Sequence, residues 1–225
     1  EETALTEIRL LDHAGRLTPG DLVLEGQYEV TPSFVRAHGI DPSLRMGLNR
    51  PDIILATPPG GRRQAVTASG DIVDLGDGDS RTGLRIVDIK LASDPGPSHF
   101  AELAYYSMTL AAWLEDHGLA DRFVVTGDAA IWPGKREGSA LVRYCSDPSV
   151  IRTAEGALAA WELDLEAMPA SVMLPRIARA LQVDLRETLA EPDWNAFPVH
   201  VGERCAGCDY LGFPWRPDEA TEDPV

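Results

Sequence analysis

The segment Leu84-Arg85-Ile86-Val87-Asp88-Ile89-Lys90-Leu91, together with the breaker and apolar stretch downstream of it, constrains this fold most. Eight residues rich in β-branched and apolar side chains predict a strand. Asp94-Pro95-Gly96-Pro97-Ser98 then breaks the chain, and His99 to His117 carries apolar and aromatic residues over most of its turns, with no breaker until Gly118. That pattern predicts a largely buried helix. A strand feeding a buried helix, with further strands before and after, predicts an α/β fold: a mixed central β-sheet flanked by helices.

Other elements obey the same rules. Thr3 to Leu17 has apolar residues at Leu5, Ile8, Leu11 and Leu17 and suits an amphipathic helix stopped by Thr18-Pro19-Gly20. Leu22 to Val30 predicts a strand, Thr31-Pro32-Ser33 a turn into a short helix at Phe34–Ala37, and Pro51 to Ala56 a strand closed by Thr57-Pro58-Pro59-Gly60-Gly61. Residues 62 to 83 predict a hairpin-like excursion around Asp71–Leu75. Strands are expected at Arg122–Thr126, Ala129–Trp132 and Leu141–Cys145, then a long helix from about Ser149 to Met168, and a further helix at Arg176–Leu189. The expected organisation is a lead-in over 1–45, an α/β core over 46–170, and a C-terminal helix and Cys-containing segment over 171–225.

Charge narrows the functional classes. The 225 residues hold 20 Lys+Arg against 36 Asp+Glu, a formal net charge of −16. A uniformly basic footprint for nucleic acid or anionic membrane is therefore absent. No stretch approaches the roughly 20 apolar residues of a membrane helix, and the first residues do not read as a signal peptide. A soluble, cytoplasmic protein is expected. Cys205-Ala-Gly-Cys208 has a spacing that favours a metal or redox site inside a cell.

Only two of the twenty basic residues are lysines, Lys90 and Lys135. Lys90 lies two positions from Asp88 on a strand, so both side chains share a face, while Ile89 points to the other. Asp52, at the head of a second strand, adds another carboxylate. Two carboxylates converging on one spot call for a hard divalent cation, Mg²⁺ or Mn²⁺. A lysine beside such an ion can hold or help deprotonate an attacking water and meet charge developing on a phosphate. Arginine is poorly suited to the first task because its guanidinium stays protonated.

Asp52 in Gly47-Leu48-Asn49-Arg50-Pro51-Asp52, the Asp88-Ile89-Lys90 triplet, and the helix Glu102-Leu103-Ala104-Tyr105-Tyr106 resemble the PD-(D/E)XK nuclease superfamily, nearest its RecB-like and Cas4-like branch. The resemblance spans roughly residues 45 to 115, with a weaker echo at Cys205 and Cys208. It implies a restriction-endonuclease-like core and Mg²⁺- or Mn²⁺-dependent hydrolysis of DNA, single- or double-stranded. In that reading Asp52, Asp88, the Ile89 backbone carbonyl and Glu102 hold the metal, Lys90 positions the water, and Tyr106 contacts the substrate backbone. Glu102 departs from the family, which carries Gln there; it supplies a third carboxylate to the metal, shifts the charge of the site, or imitates the amide's contacts to the nucleic-acid backbone. His13 and His38 stand in the order of the further histidine ligand of these nucleases, but neither sits in a matching motif. Each reads better as a partly exposed helix or loop histidine.

The CxxC has three readings: an iron–sulfur cluster as in the resembling branch, a Zn²⁺ site shared with His200, or a pair of reduced thiols. Asp71, Asp74, Asp77 and Asp79 imitate a calcium loop in spacing but lack its terminal bidentate Glu, and read as a solvated turn. Trp132-Pro133-Gly134-Lys135-Arg136 is a small basic-aromatic patch, either a strand-stacking contact or an ordinary charged turn. The expected activity is a DNA nuclease working with a helicase or another basic partner protein or domain, in repair or defence. The alternative from a different class is an inactive nuclease-like module that binds nucleic acid or scaffolds a complex.

Overall fold

The computed structural model describes residues 16–60, 63–91, 94–134 and 138–190. The chain divides into two compact units, Glu1–Arg186 and Glu187–Val225. The elements are β1 (Leu22–Leu24), β2 (Tyr28–Glu29), α1 (Pro32–His38), β3 (Leu48–Asn49), β4 (Ile53–Thr57), β5 (Arg63–Val66), β6 (Ile72–Leu75), β7 (Thr82–Lys90) and α2 (Pro97–Asp116). Next come β8 (Phe123–Val125), β9 (Ala130–Pro133), α3 (Ala140–Ser146), α4 (Ala154–Glu162), β10 (Glu166–Ala167), α5 (Ala170–Arg179), a π-helical turn at Ala180–Asp184, and α6 (Leu185–Ala190).

Six strands form a mixed sheet in the order β1-β4-β7-β9-β10, with β8 beside β7 as well. β1, β4 and β7 pair antiparallel, whereas β8 and β9 run parallel to β7, along its first and last thirds respectively. A parallel neighbour needs a crossover connection, and α2 provides it. β7 is central and buried along most of its length, which its apolar run anticipates.

The two faces of the sheet are covered differently. Ile54, Ala56, Leu84 and Ile86 face one side and pack with Leu103, Met108, Leu110 and Trp113 of α2 in the main core. Ile53, Leu55 and Val87 face the other and meet Trp161 of α4 in a smaller cluster. α2 is buried on nearly every turn after its first, starting at Pro97, where the missing N–H costs no hydrogen bond.

Several expectations are corrected. Leu141–Cys145 is not a strand but most of α3: Ser139 Oγ accepts from the Val142 N–H, and Asp164 accepts from the Ala140 and Leu141 N–H groups. The long helix expected over 149–168 is confined to Ala154–Glu162, because Thr153 caps its start and residues 166–167 pair with β9 instead. The strand expected over 22–30 is split in two at Glu25, which has a φ of 49°. The hairpin over 62–83 is present as β5 and β6. The N-terminal helix expected over 3–17 falls almost wholly outside the described residues.

Candidate active site

Pairing of β4 with β7 sets Ile53 opposite Val87 and Ile54 opposite Ile86. Carrying the register one residue further sets Asp52 opposite Asp88, and the two-residue period turns both toward the face covered by α2. Asp52 Oδ2 accepts a hydrogen bond from the Ile89 N–H at 2.6 Å, pinning it to the end of β7. Asp88 is only 3% exposed. Its burial, reinforced by Asp52, pushes its carboxyl up to about 6 against the opposing pull of Lys90.

Lys90 Nζ lies 2.5 Å from Asp88 Oδ2 and donates to Glu102 Oε2 at 2.8 Å. Burial works against its charge, yet the two carboxylates outweigh burial and hold the ammonium above the ordinary lysine range. Tyr106 donates through its hydroxyl to the other oxygen, Glu102 Oε1, at 3.2 Å. Burial, then the charge of Glu102, pushes the Tyr106 phenol up to about 12, so it is a neutral donor at physiological pH. The i, i+4 spacing on α2 makes the Glu102–Tyr106 contact.

Asp52, Asp88, Lys90, Glu102 and Tyr106 are thus brought together, with the Ile89 backbone between the first three and its side chain on the opposite face. Glu102 gives one oxygen to Lys90 and the other to Tyr106. Among the described residues, no group of three or more His, Cys, Asp or Glu side chains is arranged to hold a metal ion. A two-carboxylate site does fit the geometry. Asp88 Oδ2 is buried, and the charge it meets there is the Lys90 ammonium at 2.5 Å. Mg²⁺ is commonly held by one or two carboxylates together with waters and substrate phosphates, not by an all-protein cage.

Comparison of the chain with protein-family models, with curated proteins and with solved structures returned no match.

Other candidates are placed elsewhere. His38 is buried, not partly exposed: its ring packs tilted against Phe34, and its Nε2 lies 2.8 Å from the Ala68 carbonyl. Burial lowers its pKa below the usual histidine value. Of the four aspartates near the hairpin, Asp71 accepts from Ser69, and Asp79 pairs with Arg81. Trp132 packs edge-on against Trp161, while Lys135 and Arg136 lie outside the described residues. His13, His200, Cys205 and Cys208 also lie outside them. Sequence reasoning missed the anchoring of Asp52 by the Ile89 N–H and the capture of Lys90 by Glu102. Both join residues from different elements, and no spacing rule reports them.

Among the described residues, no helix is long and apolar enough to cross a membrane.

Proposed function

We propose that this chain is a metal-dependent nuclease of the PD-(D/E)XK type, with a restriction-endonuclease-like core of the RecB and Cas4-like kind, hydrolysing phosphodiester bonds of DNA. One observation carries the reading: two carboxylates on adjacent strands converge on one spot, and the ammonium of Lys90 lies against the buried Asp88 oxygen on that same face. A divalent cation held by Asp52 and Asp88 would supply Lewis-acid polarisation of the phosphoryl oxygens and acidify a water.

The chain's own residues do the rest. Asp52, fixed by the Ile89 N–H, keeps its carboxylate aimed across the strand gap. Lys90, steered by Glu102, brings a positive charge to the developing phosphorane and holds the attacking water. Tyr106, uncharged, offers a hydroxyl at the outer edge of the site. Glu102 here serves as the anchor of Lys90 and Tyr106, a role the Gln of the resembling family lacks the charge to fill. The net charge of −16 disfavours approach of a polyanion. The proposal therefore includes a helicase or other basic partner that delivers the DNA, and a cytoplasmic setting. A metal or iron–sulfur role for Cys205 and Cys208 remains part of the proposal for the C-terminal segment.

The test is incubation of the purified protein with single- and double-stranded DNA and RNA in Mg²⁺, Mn²⁺ or EDTA, beside Lys90→Ala and Asp88→Ala. Cleavage is expected with either metal, none in EDTA, and a loss of about 10²- to 10³-fold or more in each variant. Cleavage that survives EDTA or both substitutions rejects this site. Absence of cleavage in every condition, with DNA still bound, assigns the chain to the noncatalytic class.

A further inference from the structure

The Lys90 ammonium stands between two carboxylates in unequal surroundings. Its Nζ lies 2.5 Å from Asp88 Oδ2 and 2.8 Å from Glu102 Oε2, and the Asp88 side chain is 4% exposed where that of Glu102 is 39% exposed. Both separations are those of charge-assisted contacts, and an ammonium has hydrogens enough for the two.

Asp88 cannot serve this ammonium and a divalent ion together. Both charges on one carboxylate oxygen would stand about 4 Å apart in a recess largely closed to water, where like charges repel strongly. Lys90 must therefore leave Asp88 as an ion arrives. It cannot leave earlier, because a buried carboxylate beside Asp52 would then lose its counterion, which is strongly destabilising. Glu102 supplies the destination. Its Oε2 already accepts from Nζ, so rotation about the last side-chain bonds of Lys90 frees Asp88 without breaking that hydrogen bond. The other oxygen, Oε1, accepts from the Tyr106 hydroxyl at 3.2 Å, so the Glu102 carboxylate is engaged at both ends and is not offered to an ion. Charge agrees with this division. The three carboxylates Asp52, Asp88 and Glu102 exceed the one ammonium by two charges, which a single divalent ion balances while Lys90 stays protonated.

We propose that Lys90 holds Asp88 in place of the divalent ion, and that loading transfers the ammonium onto Glu102 alone, beside the ion and still charged. Glu102 is then a positioning residue acting through Lys90, not a metal ligand. This assignment deepens the reading of Asp52 and Asp88 as the holders of a divalent cation and rests on it.

The first test is calorimetric titration of Mn²⁺ into the metal-stripped full chain, Glu102→Gln, Lys90→Met and the variant carrying both substitutions. Lys90→Met should bind Mn²⁺ about tenfold more tightly, because the competitor for Asp88 is gone. Glu102→Gln should weaken binding about thirtyfold with Lys90 present but only about threefold with methionine there, the remainder being the lost charge. A loss as large or larger in the methionine background overturns the proposal in favour of Glu102 as a direct ligand. Unchanged or weaker binding in Lys90→Met shows that Lys90 does not compete, and overturns it as well. The second test needs no substitution at Lys90. Lys90 and Lys135 are the only lysines, so protein carrying ¹³C at lysine Cε gives two signals, and the one that persists in Lys135→Arg belongs to Lys90. On titration with Mg²⁺ this signal should shift in step with ion binding and keep the linewidth of a held side chain, whereas in ion-saturated Glu102→Gln it should narrow severalfold toward that of a free lysine. A Lys90 signal that stays in place while Mg²⁺ binds, or equal linewidths in the two saturated forms, overturns the transfer and leaves the metal site standing. Absence of binding of either ion to every form overturns the metal reading together with it.

Discussion

Asp88 and Asp79 sit near opposite ends of the same strand, and their carboxyl groups are perturbed in opposite directions. Asp88, buried on β7 and facing Asp52, is pushed up to about 6. Asp79, just before β7, accepts hydrogen bonds from the Arg81 side chain and N–H and is held down at about 2. The strand pleat fixes where the Asp88 carboxylate points, so it stays beside Asp52 and the Lys90 ammonium offsets only part of its burial and repulsion. The loop before β7 lets Asp79 turn onto a guanidinium. A carboxylate whose burial and like-charged neighbour outweigh its ammonium partner, held in a rigid place, is a candidate for chemistry, whereas a satisfied pair on a loop fits a structural role.

The most severe way to break this contrast is to remove the ammonium that moderates Asp88. Lys90→Ala should cut cleavage about 10²- to 10³-fold or more and should also cost about 3 kcal/mol of metal-free stability, because a buried carboxylate loses its partner. Urea unfolding in EDTA measures this. A variant as stable as the parent means that Lys90 is not the counterion of Asp88.

At the opposite end the corresponding break is steric. A Cβ on Gly83 would overlap Thr57 Oγ1 and stand 2.7 Å from Thr126 Cγ2 and 2.9 Å from Arg63 Nη1. Gly83→Ala should therefore destabilise the chain by about 2–3 kcal/mol. Since the carboxylate pair is remote, metal-dependent cleavage per folded molecule should be unchanged. Loss of activity in the folded fraction would show that the two ends are coupled.

A third experiment sharpens the contrast through pH. The folded-state pKa of Asp88 lies near 6, above the unfolded value of 3.8, so the folded chain binds the extra proton in between. Its contribution to stability is fully present below about 3.8 and is lost as pH rises through about 6. Metal-free protein should gain stability relative to Asp88→Asn by about 2–3 kcal/mol between pH 7 and pH 4. Urea midpoints of the pair across that range give the difference, and a flat difference removes the case for a strained dyad.

How much of this was readable beforehand depends on whether a signal was local. The alternation on β7 placed Asp88 and Lys90 on one face, and the i, i+4 spacing placed Glu102 with Tyr106, because each rule acts within one element. The fate of Leu141–Cys145 was not readable. Five residues are too few for periodicity to separate strand from helix, and the deciding cap comes from Asp164, more than twenty residues later. The burial of His38 depends likewise on the distant Ala68 carbonyl.

The smallest expected effect tests the satisfied partner of the comparison. Asp79 is depressed chiefly by the Arg81 side chain, then by the Arg81 N–H. Its stabilisation is present above the unfolded value of 3.8 and lost as pH falls through about 2, the reverse of Asp88. The shift alone would amount to more than about 2 kcal/mol, but the Arg81 side chain is 31% exposed and solvent screening reduces this to about 1 kcal/mol. Asp79→Asn should thus cost about 1 kcal/mol at pH 7, less in high salt and only a small remainder near pH 2. Thermal melts of the pair at pH 7 and pH 2, with and without salt, check each part. A cost that stays constant across pH would assign Asp79 to the shape of its turn instead of its charge, and the opposition between the two ends would then rest on Asp88 alone.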